Sequence, residues 1–331
     1  MKKIACVGFH DTGASVVDDL FREFDNVAQG FSGAECKVLH DPDGISDLEY
    51  HLVTNPNRLQ TDLALDRFLR YAKHNKREYE KTFGKQWAPL CEEYVDSLVK
   101  FRYKGYSGWI IEKGLYYKYA LLFKKALNRI RPPKYRHPAW YNYFPNMTKF
   151  HASLNEDEFL NKTINYIEKL TSLIETNEKT EFVLIDQMVP CDVPEKYLKY
   201  VKDLKVIVVD RDPRDLFLSQ IVIYKEHVLP SDPYQFCTFY KDIRKRCDYK
   251  NTDNVLFINF EDTIYSYDET VDKILNFVGI SKDHHKTKYK YFNPSVSIKG
   301  TKLWERYPEH VDKIKIIEKE IPEYLHNYNK L

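Results

Sequence analysis

The stretch Lys205-Val206-Ile207-Val208-Val209-Asp210-Arg211-Asp212-Pro213-Arg214-Asp215-Leu216-Phe217-Leu218-Ser219-Gln220 decides the fold. Val206 to Asp210 is an apolar, β-branched run that closes on a charge, the pattern of a strand buried on both faces. Asp212 stands where an N-cap belongs, Pro213 at the first helical position, and Asp215 three residues after the cap. The chain is therefore expected to pass from buried strand to helix with almost no loop. Arg211 falls at the strand's carboxyl end, facing the crevice where open α/β sheets bind ligands, and Ser219 falls two turns into the helix. Backbone donors, the helix dipole and a guanidinium fork converge there on an anion site. The same residues would also serve as an ion-pair cluster capping an ordinary helix.

Other segments extend the pattern outward. Ile4 to Phe9 reads as a short buried strand, followed by His10-Asp11-Thr12-Gly13-Ala14-Ser15 and a helix with Val16, Val17, Leu20, Phe21 and Phe24 on one face. Gly8-x-x-x-x-Gly13-Ala14-Ser15 has the outline of a P-loop, with alanine where the phosphate-bridging lysine belongs. Lys37 to His40 reads as a second strand stopped by Asp41-Pro42-Asp43-Gly44, and Glu49 as the close of a capping box for the next helix. Glu181 to Gln187 and Asn254 to Phe260 are further strands, the second leading to a helix that Gly279 stops. The adjacent His284-His285 has no third metal ligand at usable spacing and reads as surface.

The chain of 331 residues is long enough for one large α/β domain or two small ones. Its net charge of +2 is too balanced for a dedicated nucleic-acid binder. Six cysteines without CxxC spacing read as reduced thiols, and no apolar run approaches membrane-spanning length, so the expectation is a cytoplasmic protein. From Arg58 to about Leu127 the periodicity is helical. Lys100 to His137 holds eleven basic residues and one acidic residue, Glu112, interleaved with Phe101, Tyr103, Tyr106, Trp109, Tyr116, Tyr117 and Tyr119; Trp140 to Phe144 follows. That mixture suits nucleic acid, an anionic or sugar acceptor, or a solvated helical face.

Arg211 followed eight residues later by Ser219, after a hydrophobic strand, resembles the 3′-phosphate motif of sulfotransferases that use 3′-phosphoadenosine-5′-phosphosulfate (PAPS). The wording RDPRDLFLSQ looks especially like bacterial members. Against the family's phosphosulfate loop, often K-S-G-T-T, Thr12, Gly13 and Ser15 match, while Asp11 stands at the lysine and Ala14 replaces a hydroxyl. FINFED before a helix ending in Gly-Ile resembles the family's Tyr-Glu-Asp strand, with Phe260 for tyrosine, and Lys299-Gly300 resembles its Arg-Lys-Gly loop.

The resemblance implies a P-loop-NTPase-like three-layer α/β sandwich with a parallel sheet of about five strands. It would form a single domain over 1–331, with a helical insertion over 58–146 that recognises the acceptor. It implies metal-independent transfer of a sulfonate from PAPS to a hydroxyl or amine, leaving 3′,5′-adenosine bisphosphate. Thr12, Gly13, Ala14, Ser15, Arg211, Ser219, Lys299 and Gly300 would bind the nucleotide. Asp186 is the first candidate for the general base, with His10, His40 and Asp11 behind it, since the family's histidine is missing. The acceptor would be a saccharide or glycolipid, with no nucleic acid and no membrane span involved. The alternatives are a P-loop-type phosphotransferase and a non-catalytic nucleotide-binding protein.

Overall fold

The computed structural model describes residues 1–30, 35–105, 114–136, 147–225, 228–247 and 249–328. Among these are seven strands: β1 (Lys2–Gly8), β2 (Val27–Gln29), β3 (Phe101–Gly105), β4 (Met147–His151), β5 (Phe182–Asp186), β6 (Leu204–Asp210) and β7 (Val255–Asn259). Five of them form a parallel sheet in the order β2-β5-β1-β6-β7. The pleat sends Ala5, Val7, Val206 and Val208 into a core shared with the helices Arg58–His74, Trp87–Leu98 and Glu156–Thr171. Ile4, Cys6, Ile207 and Val209 point to the other face, against the helices Ser15–Phe21 and Tyr267–Val278. Helices thus cover both faces, which is why these strands are apolar at every position rather than at alternate ones. A third core joins the helices Pro213–Leu218, Pro233–Arg244 and Val311–Glu320. This is the P-loop-like three-layer α/β arrangement, with five parallel strands.

Strand order positions the site. β1 lies between β5 and β6, with Cys6 beside Asp186 and Gly8 beside Val209. After β5 the chain crosses β1 to build the other half of the sheet, so the loops leaving β1, β5 and β6 meet at one topological switch point. Local signals agree with this path. Asn155 closes a capping box with Glu158, and Gly279 ends its helix at φ 79°.

Some expectations need correction. Lys37 to His40 is not a strand; the edge of the sheet is Val27–Gln29. The carbonyls of Val38 and Leu39 accept from Ile45 N–H (2.9 Å) and Ser46 N–H (3.0 Å), so they serve a helix start and not a ladder. Glu49 closes no capping box: it takes the Lys199 ammonium at 2.5 Å and the Tyr200 hydroxyl. Phe101–Gly105, expected within a helical run, pairs antiparallel with Met147–His151 as a two-stranded ribbon. His284 and His285 are tethers rather than free surface, each within hydrogen-bond reach of a carboxylate (Asp25 at 2.8 Å, Glu23 at 2.6 Å). Of the basic and aromatic segment, Tyr106, Trp109, Glu112 and 137–146 lie outside the described residues.

Candidate active site

The loop that leaves β1 is held by side chains a sequence motif does not reveal. The Thr12 hydroxyl donates to the Val209 carbonyl (2.7 Å) and accepts from Phe9 N–H (3.0 Å), sewing the loop to β6. A Cβ on Gly8 would sit 2.5 Å from that hydroxyl, so glycine is required there for the tie to form. His10 and Asp11 have positive φ (52° and 45°), as does Gly13 (86°), and a Cβ on Gly13 would meet the Phe260 ring at 2.5 Å. The turn therefore lies flat against Phe260. The N–H groups of Gly13, Ala14 and Ser15 have no acceptor among the described residues. The Asp11 carboxylate accepts from the Gln220 amide.

Arg211 leaves β6 and joins two distant segments. Its Nη1 donates to the Asp11 carbonyl (3.0 Å) and its Nη2 to the Gly300 carbonyl (2.5 Å), with the guanidinium 5.0 Å from the Phe260 ring. The side chain is 6% exposed, and its Nε has no partner among the described residues. Asp212 caps the following helix through Arg214 N–H (2.8 Å). Asp215 reaches instead to Leu303 N–H (2.7 Å) and Lys302 N–H (3.0 Å), which anchors the far side of the Gly300 loop. Burial, then the Asp212 charge, push its carboxyl up to about 6. The near side is anchored by the buried Glu23, which accepts from the N–H groups of Tyr289, Tyr291 and Phe292 (2.9–3.1 Å).

One cavity of about 970 Å³ gathers much of this chemistry. Its lining includes residues 8–16, Asp186, Gln187, Arg211, Phe260, Ser297 and Gly300. His10, Asp11, Thr12, Gly13, Ala14, Ser15 and Asp186 are thus brought together with Arg211 and Gly300. Ser219 is 1% exposed and is not in this lining. Lys299 is exposed and also outside it, its carbonyl taken by Arg306. Lys302 turns away, its ammonium 4.9 Å from the Tyr328 ring.

Asp186 ends β5 with one carboxylate oxygen buried and unpartnered among the described residues. Burial, then the nearby Glu35 charge, push its carboxyl up to about 7. Asp18, behind it, is raised to about 8 by burial and by Asp186 itself. His40 also faces the cavity, with Nε2 2.9 Å from the Gln187 carbonyl, and burial lowers its pKa. Arg244 lies deeper, bonded to both oxygens of Asp210 (2.6 and 3.0 Å) and stacked 3.3 Å from the Tyr240 ring centre. Sequence reasoning did not single out Arg244, Lys37 or Gln220. For Arg244 a signal existed: it follows Phe236 and Tyr240 at intervals of four, on the helix's buried face. Among the described residues no group of three or more His, Cys, Asp or Glu side chains could hold a metal.

Among the solved structures that the chain is similar to, three illustrate the likeness, at low identity. They are the sulfotransferase domain of the Synechococcus PCC 7002 olefin synthase (10% identity, 96% of this chain and 93% of that one, TM-score 0.41), a Mycobacterium avium sulfotransferase (12%, 98% and 75%, 0.37), and a retinol dehydratase in complex with androsterone and inactive cofactor PAP (12%, 100% and 84%, 0.38). No curated protein matches. The sulfotransferase domain model matches residues 128–295, just over half of the sequence and the half that carries Asp186, Arg211 and Phe260. By that match the chain belongs to the sulfotransferase domain family.

Proposed function

We propose that the chain moves a sulfonate from PAPS to a hydroxyl or amine of its acceptor by in-line displacement. The observation that carries this reading is the Arg211 guanidinium, which bridges the loop after β1 and the Gly300 loop at the wall of one cavity. A nucleotide with phosphates at both ends of its ribose needs two anion sites held at a fixed separation. Arg211 and the backbone of the Gly300 loop would hold the 3′-phosphate, with Ser219 supporting the helix behind them. The free N–H groups of Gly13, Ala14 and Ser15 would hold the 5′-phosphosulfate.

Asp186 would take the acceptor's proton as the acceptor atom bonds to sulfur. The bond from sulfur to the bridging oxygen breaks with its electron pair on that oxygen, and 3′,5′-adenosine bisphosphate leaves. A carboxyl raised to about 7 is suited to that proton transfer near neutral pH. The family's loop lysine is replaced by Asp11, so the cation facing the negative charge that develops on the leaving oxygen would be Lys37, which lines the same cavity. The segment 58–146 would recognise the acceptor, a saccharide or glycolipid. Arg211→Ala is expected to weaken 3′,5′-adenosine bisphosphate binding at least about tenfold in calorimetry, the scale of one charge-assisted hydrogen bond. Unchanged affinity would overturn the assignment.

A further inference from the structure

The helix Gly114–Ile130, within the segment proposed to recognise the acceptor, takes no part in the bond-making and bond-breaking steps, and it does not look like a helix that packs on a core. Tyr119, Leu122, Phe123 and Ile130 are each more than 60% exposed, and Leu127 is 39% exposed. Their spacing of three and four residues makes one continuous apolar stripe along the helix. A helix in a globular domain buries such a stripe; this one turns it to solvent. No acidic residue occurs between Gly114 and Ile130, whereas Lys118, Lys124, Lys125 and Arg129 do, followed by Arg131, Lys134 and Arg136.

We infer that this helix lies on an anionic lipid surface, with the stripe from Tyr119 to Ile130 immersed and the lysines and arginines among the headgroups. An exposed apolar face on a helix whose own charged residues are all basic is what an interfacial helix needs, because burial and charge then act together. The observations disfavour two other occupants. Leu122, Leu127 and Ile130 are aliphatic and offer bases no face to stack on, so the stripe is ill suited to nucleic acid. A second copy of the helix would set lysines against lysines around the shared stripe. No helix among the described residues is long and apolar enough to cross a membrane, so the contact is with one surface of the bilayer. The inference does not rest on the sulfonate-transfer reading.

The test is sedimentation of the full chain with vesicles of phosphatidylcholine alone or mixed with phosphatidylglycerol, at low and high salt, with light scattering of the free protein. Binding at least about tenfold tighter to the mixed vesicles, weakened by salt, is expected. Each basic residue near an anionic surface is worth about fivefold. L122E/F123E and R129E/K134E should each lose at least about tenfold in binding while keeping the thermal midpoint, since these side chains are exposed. No vesicle binding, equal binding to both compositions, or binding unchanged in L122E/F123E would overturn the inference. So would a stable dimer that L122E/F123E dissolves, or tighter binding to a single-stranded oligonucleotide than to vesicles.

Discussion

The carboxyl end of the parallel sheet and the helix Gly114–Ile130 are opposites in how they treat charge and apolar surface. At the sheet, buried charges are tied down, Arg211 to two carbonyls, Asp215 to two N–H groups and Arg244 to Asp210, while one oxygen of Asp186 has no partner among the described residues. On the helix, large apolar side chains stand in solvent among exposed cations. A buried network holds groups at fixed distances, which suits a ligand with two phosphates. An open stripe holds nothing fixed and suits a surface that is itself fluid. The contrast teaches that the carboxyl end of the sheet is prebuilt, whereas the helix Gly114–Ile130 presents a surface that the fold leaves open.

The largest break in that contrast should come from Arg244→Leu. It leaves Asp210 buried without its partner, and loss of about 3–5 kcal/mol is expected in denaturant unfolding. A cost under about 1 kcal/mol would show the network to be less integral than its geometry. Gly13→Ala comes next. Its Cβ would press on Phe260 from a backbone at φ 86°, so about 1–3 kcal/mol should be lost, together with nucleotide affinity.

Asp186→Asn has an effect on stability that is gated by pH. The folded state raises this carboxyl above its unfolded value near 4, so folding favours the protonated form. That contribution is complete below about pH 4 and is lost as pH rises through about 7. The substitution should therefore raise the thermal midpoint at pH 8 and leave it unchanged at pH 4, while abolishing single-turnover sulfonate transfer. Retained turnover would remove Asp186 as the base. At the other extreme, Leu122→Ser should move stability by no more than about 0.5 kcal/mol, because nothing in the protein packs on that side chain enough to cover it. A larger loss would mean the stripe is part of the core.

The apolar run Val206 to Asp210, the Asp212-Pro213 helix start and the Gly279 stop were legible because each is a local preference that tertiary packing reinforces. Lys37 to His40 was misread because its backbone groups serve a neighbouring helix start, which composition does not display. β3 was hidden in a helical period because its partner, Met147–His151, lies 42 residues or more away. At the site, Gly13, Arg211, Asp186 and Gly300 could be named from motifs. Their meeting could not, nor could the displacement of Ser219 and Lys299 from the cavity lining.

The sequence by itself determined that a two-faced buried sheet exists, that Arg211 directly follows one of its strands, and that a glycine turn follows another. Periodicity and capping are short-range properties, written within a few residues of where they act. Only the tertiary structure decided that β1 sits between β5 and β6, that Arg211 ties residue 11 to residue 300, and that Phe260 backs the Gly13 turn. Those relations join residues scores of positions apart, and they follow from which faces must be buried together rather than from any one segment's preference.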